Sequence, residues 1–79
     1  GRSPVVLLGA LEKSSLEILE IIIEESSPLA GAKLGDLTFP EHSRVVAVLH
    51  EGDAQVPTGD TVFEVGDVLL ILVPSELES

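Results

Sequence analysis

Two segments of this chain are apolar at successive positions, where a half-buried strand would alternate apolar and polar side chains. They are the three isoleucines Ile21, Ile22 and Ile23 and the run VLLILV at residues 68–73. Successive residues of a strand point to opposite faces of a sheet, so both faces of these strands must be shielded from water. A chain of 79 residues forms one small domain with little helix to cover a second face. The pattern therefore predicts a homodimer with Ile21, Ile22 and Ile23 at its interface.

The order of elements predicts an α+β domain that is predominantly β. Three consecutive β-branched isoleucines fit a strand better than a helix, because such side chains lose rotamer freedom in a helix. A break at Ser27-Pro28 follows, and then one or two helical turns at residues 32–37. An antiparallel β-meander completes the domain. Its predicted strands are residues 45–49, 54–56, 61–63 and 68–73.

Three Gly-Asp pairs punctuate the second half of the chain at intervals of seven residues. They are Gly52-Asp53, Gly59-Asp60 and Gly66-Asp67. Glycine supplies the positive φ of a tight turn and aspartate bonds nearby backbone amides, so each pair is expected to mark a reversal between short strands. The alternative role for these aspartates is to supply oxygen ligands to a divalent cation, although the EF-hand pattern is absent.

Residues 1–15 are predicted to be a linker or a cloning remnant ahead of a domain at residues 16–79. The first four residues, GRSP, have no signal-peptide pattern. The apolar residues 5–8 also suit a short strand. An alternative to the dimer is that residues 5–11 fold back over the second sheet face within one chain.

The charge balance excludes several classes of partner. Fourteen acidic residues stand against four basic ones, which gives a net charge of −10. Such a chain repels nucleic acid and anionic lipid. Its longest apolar run, residues 68–73, is far shorter than the roughly 18 residues of a membrane span. We expect neither nucleic-acid binding nor direct membrane insertion.

The sequence predicts no catalytic residues and no metal ligands. It has no cysteine and no G-x-S-x-G motif, and its two histidines, His42 and His50, are eight residues apart, which matches no zinc template. A non-catalytic protein is therefore expected. Arg44, at the start of a predicted strand, is the best candidate to hold an anion, and the alternative is an exposed ion pair with Glu41 or another acidic residue.

Several motifs occur in an order that resembles the TrkA-C domain family. The motifs are Ser27-Pro28-Leu29-Ala30-Gly31, Lys33-Leu34, Asp36-Leu37, Pro40 before Val45-Val46-Ala47-Val48, Pro57-x-Gly59-Asp60-Thr61, and Glu64-x-Gly66-Asp67-Val68-Leu69. This family is also called the RCK C-terminal regulatory subdomain. It occurs in prokaryotic potassium channels, potassium transporters and cation/proton antiporters.

The resemblance implies a non-catalytic regulatory module that dimerises at the cytoplasmic face of the membrane. Its partner would be a parent channel or transporter, or an RCK N-terminal nucleotide-binding subdomain. Some relatives bind a small effector such as cyclic di-AMP between the subunits. Carried over residue by residue, the ligand-binding positions would be Asp36, Thr38, Arg44, Ala47 and Pro57.

Two alternative functions remain open at this stage. One is a purely structural dimerisation module without a ligand. The other is a divalent-cation sensor that uses the acidic turns at Asp53, Asp60 and Asp67.

Overall fold

Five antiparallel strands form one sheet in the computed structural model, which describes residues 4–10 and 15–75. The strands are β1 (Val5–Ala10), β2 (Leu16–Ile22), β3 (Arg44–His50), β4 (Asp53–Gln55) and β5 (Val68–Pro74). The helical element that lies wholly within the described residues is a 3₁₀ turn at Leu34–Asp36. The predominantly β fold class predicted from the sequence is confirmed.

The strand order corrects the predicted meander. The order across the sheet is β1-β2-β5-β3-β4, so β5 lies between β2 and β3 and not beside β4. The physical reason is burial. The apolar strand β5 gains most at the centre of the sheet, whereas all three residues of β4 are exposed and suit an edge.

One face of the sheet is covered by the chain itself, and we call it the covered face. Residues 31–35 and 59–63 run antiparallel above it, joined by backbone hydrogen bonds of 2.8–2.9 Å. They carry Phe63, which is fully buried, onto β3 and β5. The core residues are Ile23, Val45, Val48, Phe63, Leu69, Ile71 and Val73.

The opposite face, which we call the open face, carries apolar side chains that do not belong to this core. The register of β2, β5 and β3 places them opposite one another. They are Ile18, Ile22, Ala47, Leu49, Val68, Leu70 and Leu72, and the carboxylate residue Glu20 lies among them opposite Leu70. All are at least partly exposed, and no described segment is packed over them as residues 31–35 and 59–63 are over the covered face.

The first strand extends the sheet at its edge. Residues 5–8 were predicted as a short strand, and β1 pairs antiparallel with β2. It therefore lies beside β2 and does not fold back over the open face as the single-chain alternative required. Its own apolar side chains at residues 5–8 are 41–51% exposed. Leu11, the end of that alternative segment, lies outside the described residues.

Two local predictions are corrected. The helix expected at residues 32–37 is only the 3₁₀ turn, because residues 31–35 give their backbone hydrogen bonds to residues 59–63. For the same reason residues 61–63 form a single bridge, Lys33 to Val62, and not a strand of the main sheet. The expected turns are confirmed at Gly52 and Gly66, which have φ of 86° and 94°.

None of the described residues form a helix that is long and apolar enough to cross a lipid bilayer.

Candidate functional site

A groove of about 520 Å³ opens at the start of β3, and we call it the Arg44 groove. Its lining comes from three stretches of chain that are distant in sequence. The lining residues are Leu34, Gly35, Leu37, Phe39, Ser43, Arg44, Val45, Pro57, Thr58 and Gly59. The surface combines apolar side chains with hydroxyl groups and one guanidinium, which suits a small ligand that has both an apolar part and an anionic part.

The floor of the groove depends on two glycines. The Gly35 N–H donates to the Gly59 carbonyl at 2.8 Å, and this hydrogen bond brings the two backbones together. A Cβ at Gly35 would lie 2.8 Å from the Gly59 oxygen, which is closer than real contacts allow. The close approach of these chains therefore requires glycine at position 35.

A tight turn presents Arg44. The Ser43 N–H donates to the Pro40 carbonyl at 3.2 Å, and His42 between them has a φ of 66°. Histidine is one of the few residues other than glycine that are enriched in this left-handed region. The turn directs the chain into β3 with Arg44 as its first residue.

Arg44 supplies the positive charge of the groove. Among the described residues no carboxylate is within ion-pair distance of it, so the alternative pairing with Glu41 is not found in this part of the chain. A guanidinium without a carboxylate partner is free to bind an anion through two parallel hydrogen bonds.

The five predicted ligand-binding residues fall into three groups. Arg44 and Pro57 both line the groove. Asp36 and Thr38 are exposed and adjoin it, because their neighbours Leu37 and Phe39 provide the lining. Ala47 lies on the open face, opposite Leu70.

The three predicted interface isoleucines also separate. Ile22 is on the open face and is 41% exposed. Ile21 is partly buried against the core, and Ile23, at 1% exposure, belongs to the core of the single chain. Of the three, only Ile22 presents a large surface to a partner.

A second cluster of polar groups lies at the far end of β3. The His50 Nδ1 is 2.6 Å from the Asp67 Oδ1 and 3.4 Å from the Glu64 Oε2. The Asp67 side chain is 3% exposed, and its other oxygen accepts the Glu64 N–H at 2.9 Å. A small cavity of about 270 Å³ opens beside these groups.

The electrostatics of this cluster act on His50. The hydrogen bond to the Asp67 carboxylate raises the pKa of His50 above its ordinary value, and the charges of Asp67, Glu51 and Glu64 act in the same direction. Partial burial of the ring opposes them. The net direction favours the imidazolium, which compensates the buried carboxylate.

Sequence reasoning did not find this cluster. His50 is fourteen residues from Glu64 and seventeen from Asp67, and only the pairing of β3 with β5 brings them together. The available signal was the third Gly-Asp pair, which was correctly interpreted as a turn. Of the three turn aspartates, Asp53 and Asp60 are exposed, and in the described part of the chain only Asp67 joins a group that could hold a metal.

These features define a small β domain with an anion-compatible groove and an apolar sheet face. A family model described as the TrkA-C domain matches residues 18–78. The chain belongs to the TrkA-C domain family, as its motifs predicted.

Similar proteins include three homologs of the Trk system potassium uptake protein TrkA. The one from Archaeoglobus fulgidus is 30% identical over 77% of this chain and 14% of its own length. The one from Methanosarcina mazei is 29% identical over 86% of this chain and 15% of its own length. The one from Pyrococcus horikoshii is 31% identical over 86% of this chain and 31% of its own length. The chain thus spans about a third or less of these relatives.

Proposed function

We propose that this chain is the non-catalytic regulatory module of a potassium or other cation transport protein, and that it works as a homodimer that binds a small anionic effector. Its place would be the cytoplasmic side of the membrane, attached to a channel or transporter or to an RCK nucleotide-binding subdomain. Membership of the TrkA-C family and the names of the relatives support the role in potassium transport.

The observation that carries the effector proposal is the Arg44 groove. An arginine at the start of β3 lines this groove together with apolar and hydroxyl side chains from the segments that contain Leu37 and Thr58. A nucleotide such as cyclic di-AMP offers matching parts, since its phosphates can pair with a guanidinium and its bases can pack on apolar surface.

The open face supports the homodimer. Covering an aliphatic side chain that is still partly exposed stabilises by about 1 kcal/mol, and two copies contribute seven such side chains each. The sum, on the order of 10 kcal/mol, is comparable with the cost of association. Ile22 and Leu70 are members of this surface.

The groove and the open face meet at Arg44. This residue lines the groove and also lies opposite Leu72 in the register of β3 and β5. An effector held by Arg44 would therefore lie at the border of the dimer interface. If it binds one arrangement of the two copies better than another, it shifts their equilibrium by that difference in affinity, and the attached domain responds.

Calorimetric titration of the chain with cyclic di-AMP and with other nucleotides tests the effector. We expect saturable binding to the wild-type chain and a loss of at least tenfold in affinity in Arg44→Ala. Lys33→Ala is the matched control, because Lys33 is the lysine among the described residues and does not line the groove. It should bind as the wild type does.

Two results would reject the effector. One is the absence of a binding signal for every nucleotide, and the other is equal affinity of Arg44→Ala and Lys33→Ala. A dimer that persists under those conditions would favour the second candidate, a structural dimerisation module, which rests on the open face alone.

A further inference from the structure

The cluster at the end of β3 has the composition of a metal site. We propose that His50, Glu64 and Asp67 bind one divalent transition-metal ion of the zinc class in each chain. Each of the three offers one ligand atom, and these atoms all lie within 4.8 Å of one another. The proposal goes beyond the regulatory role, because no part of it depends on the Arg44 groove.

The distances fit this geometry. Two ligands of a tetrahedral zinc ion, each about 2.0–2.1 Å from the metal, lie about 3.4 Å from each other. The His50 Nδ1 and the Glu64 Oε2 are already 3.4 Å apart. The His50 Nδ1 and the Asp67 Oδ1 are 2.6 Å apart, with a proton between them. Replacing that proton by a metal requires this pair to open by less than about 1 Å, and the proton leaves to solvent.

The donor set selects the metal. One imidazole and two carboxylates suit zinc and its neighbours cobalt and nickel. Calcium needs six to eight oxygen ligands, and magnesium prefers carboxylates with several retained waters. The cavity of about 270 Å³ beside the cluster leaves room for a water as the fourth ligand, with Gln55 and Thr61 on its wall.

The surrounding backbone holds the ligands in place. The Glu64 N–H donates to the Asp67 Oδ2 at 2.9 Å, and the Asp67 N–H donates to the Glu64 carbonyl at 3.0 Å. Both ligands therefore belong to one closed turn. The Glu51 carboxylate is 4.0 Å from the His50 Nε2, on the side of the ring away from the proposed metal. At this distance Glu51 makes no hydrogen bond to the ring and contributes only its negative charge.

The burial of Asp67 is compatible with a bound cation, although His50 and the Glu64 N–H already compensate this carboxylate in the absence of metal. The Asp67 side chain is 3% exposed and has a second carboxylate, Glu64, within the same cluster. A buried carboxylate is costly unless a positive charge or several donors compensate it. A bound dication supplies more compensation than one imidazolium, and it links β3 to the turn before β5.

The test is titration of the 79-residue chain with zinc chloride by calorimetry and with cobalt chloride by visible spectroscopy. We expect one ion per chain and the absorption bands of tetrahedral cobalt. His50→Gln and Glu64→Gln should each weaken binding by about tenfold or more. Asp53→Asn is the matched control, because Asp53 pairs with His50 in the β3–β4 hairpin but is not in the cluster. Its affinity should equal that of the wild type.

Paramagnetic NMR with cobalt locates the ion without any substitution, which matters because a variant of the buried Asp67 could fail to fold. We expect the largest shifts at His50, Glu64 and Asp67. A flat zinc titration would overturn the proposal. So would binding that Glu64→Gln and His50→Gln leave unchanged, or cobalt shifts spread over the acidic surface. Effector binding at Arg44, about 20 Å away along β3, should survive His50→Gln whether or not the metal site exists.

Discussion

The two faces of the sheet differ in what covers them, although their compositions are similar. Leu69 and Ile71 on the covered face are at most 3% exposed beneath Phe63 and the paired segments above it. Leu70 and Leu72, their immediate neighbours on β5, face the other way and are only partly buried. The same strand thus has fully buried side chains on one face and partly exposed side chains on the other. A small chain can therefore bury one face of its sheet and leave the other partly exposed.

The comparison also separates the functions we propose. The covered side holds the Arg44 groove and the cluster of His50, Glu64 and Asp67, at opposite ends of β3. The open side would hold the partner. Arg44 is the residue at which the two sides meet.

Phe63→Ala tests the covered face and should have the largest effect. Phe63 is fully buried, so we expect a loss of about 3–5 kcal/mol in the free energy of unfolding, enough to unfold much of the chain. Urea denaturation at one fixed protein concentration measures it. The control Val62→Ala, at a site 49% exposed, should cost under about 1 kcal/mol. Equal losses in the free energy of unfolding would mean that Phe63 does not hold residues 59–63 against the covered face.

Leu70→Lys tests the open face. Leu70 is on the central strand β5, opposite Glu20 of β2. The lysine can therefore pair with the Glu20 carboxylate in a single chain and leave its fold intact. In a dimer the lysine would replace a packed apolar side chain and lose its hydration, which pairing with Glu20 does not fully repay. We therefore expect the dissociation constant of the dimer to rise by about 100-fold or more. Sedimentation velocity over a concentration series measures this. A variant that dimerises as the wild type does would remove Leu70 from the interface.

Gly35→Ala against Gly59→Ala tests the layer that builds the Arg44 groove. A Cβ at Gly35 meets the Gly59 oxygen at 2.8 Å, whereas a Cβ at Gly59 has its nearest contact at 3.8 Å. We expect a loss of about 1–3 kcal/mol for the first variant and under about 1 kcal/mol for the second. Thermal unfolding compares them. The reverse order would show that these backbones are not in contact.

Leu7→Ala, at the β1 edge of the sheet, should have the smallest effect of these variants, and Leu69→Ala on the central strand is the comparison. Leu7 is 50% exposed on β1, while Leu69 is fully buried on β5. The change at Leu7 should cost under about 1 kcal/mol, and that at Leu69 about 2–5 kcal/mol. Urea denaturation measures both. A large loss at Leu7 would mean that β1 is itself covered by a partner.

The sequence predicted those features that depend on local chemistry. β-branched residues identified β2 and β3, the apolar run at residues 68–73 identified β5, and the glycine turns at Gly52 and Gly66 were found from their Gly-Asp pairs. It did not predict where β5 inserts, because the choice of neighbour for a strand depends on the burial of the whole sheet.

The candidate sites also differ in whether local sequence or the whole sheet determines them. Arg44 and Pro57 were predicted as ligand-binding residues and do line one groove. The approach of His50 to Asp67 joins a hairpin to a distant turn, and no spacing in the chain signals it. Ile23 was grouped with its two neighbours by composition, but it lies beyond the end of β2 and enters the core.

We propose above all that a second copy covers the open face, and the oligomeric state of the unmodified chain decides this. Light scattering coupled to size-exclusion chromatography at micromolar concentration gives the mass in solution. We expect the wild-type protein to have twice the mass of one chain. The Leu70→Lys variant should have the mass of one chain. A stable, folded single chain at that concentration would contradict the account.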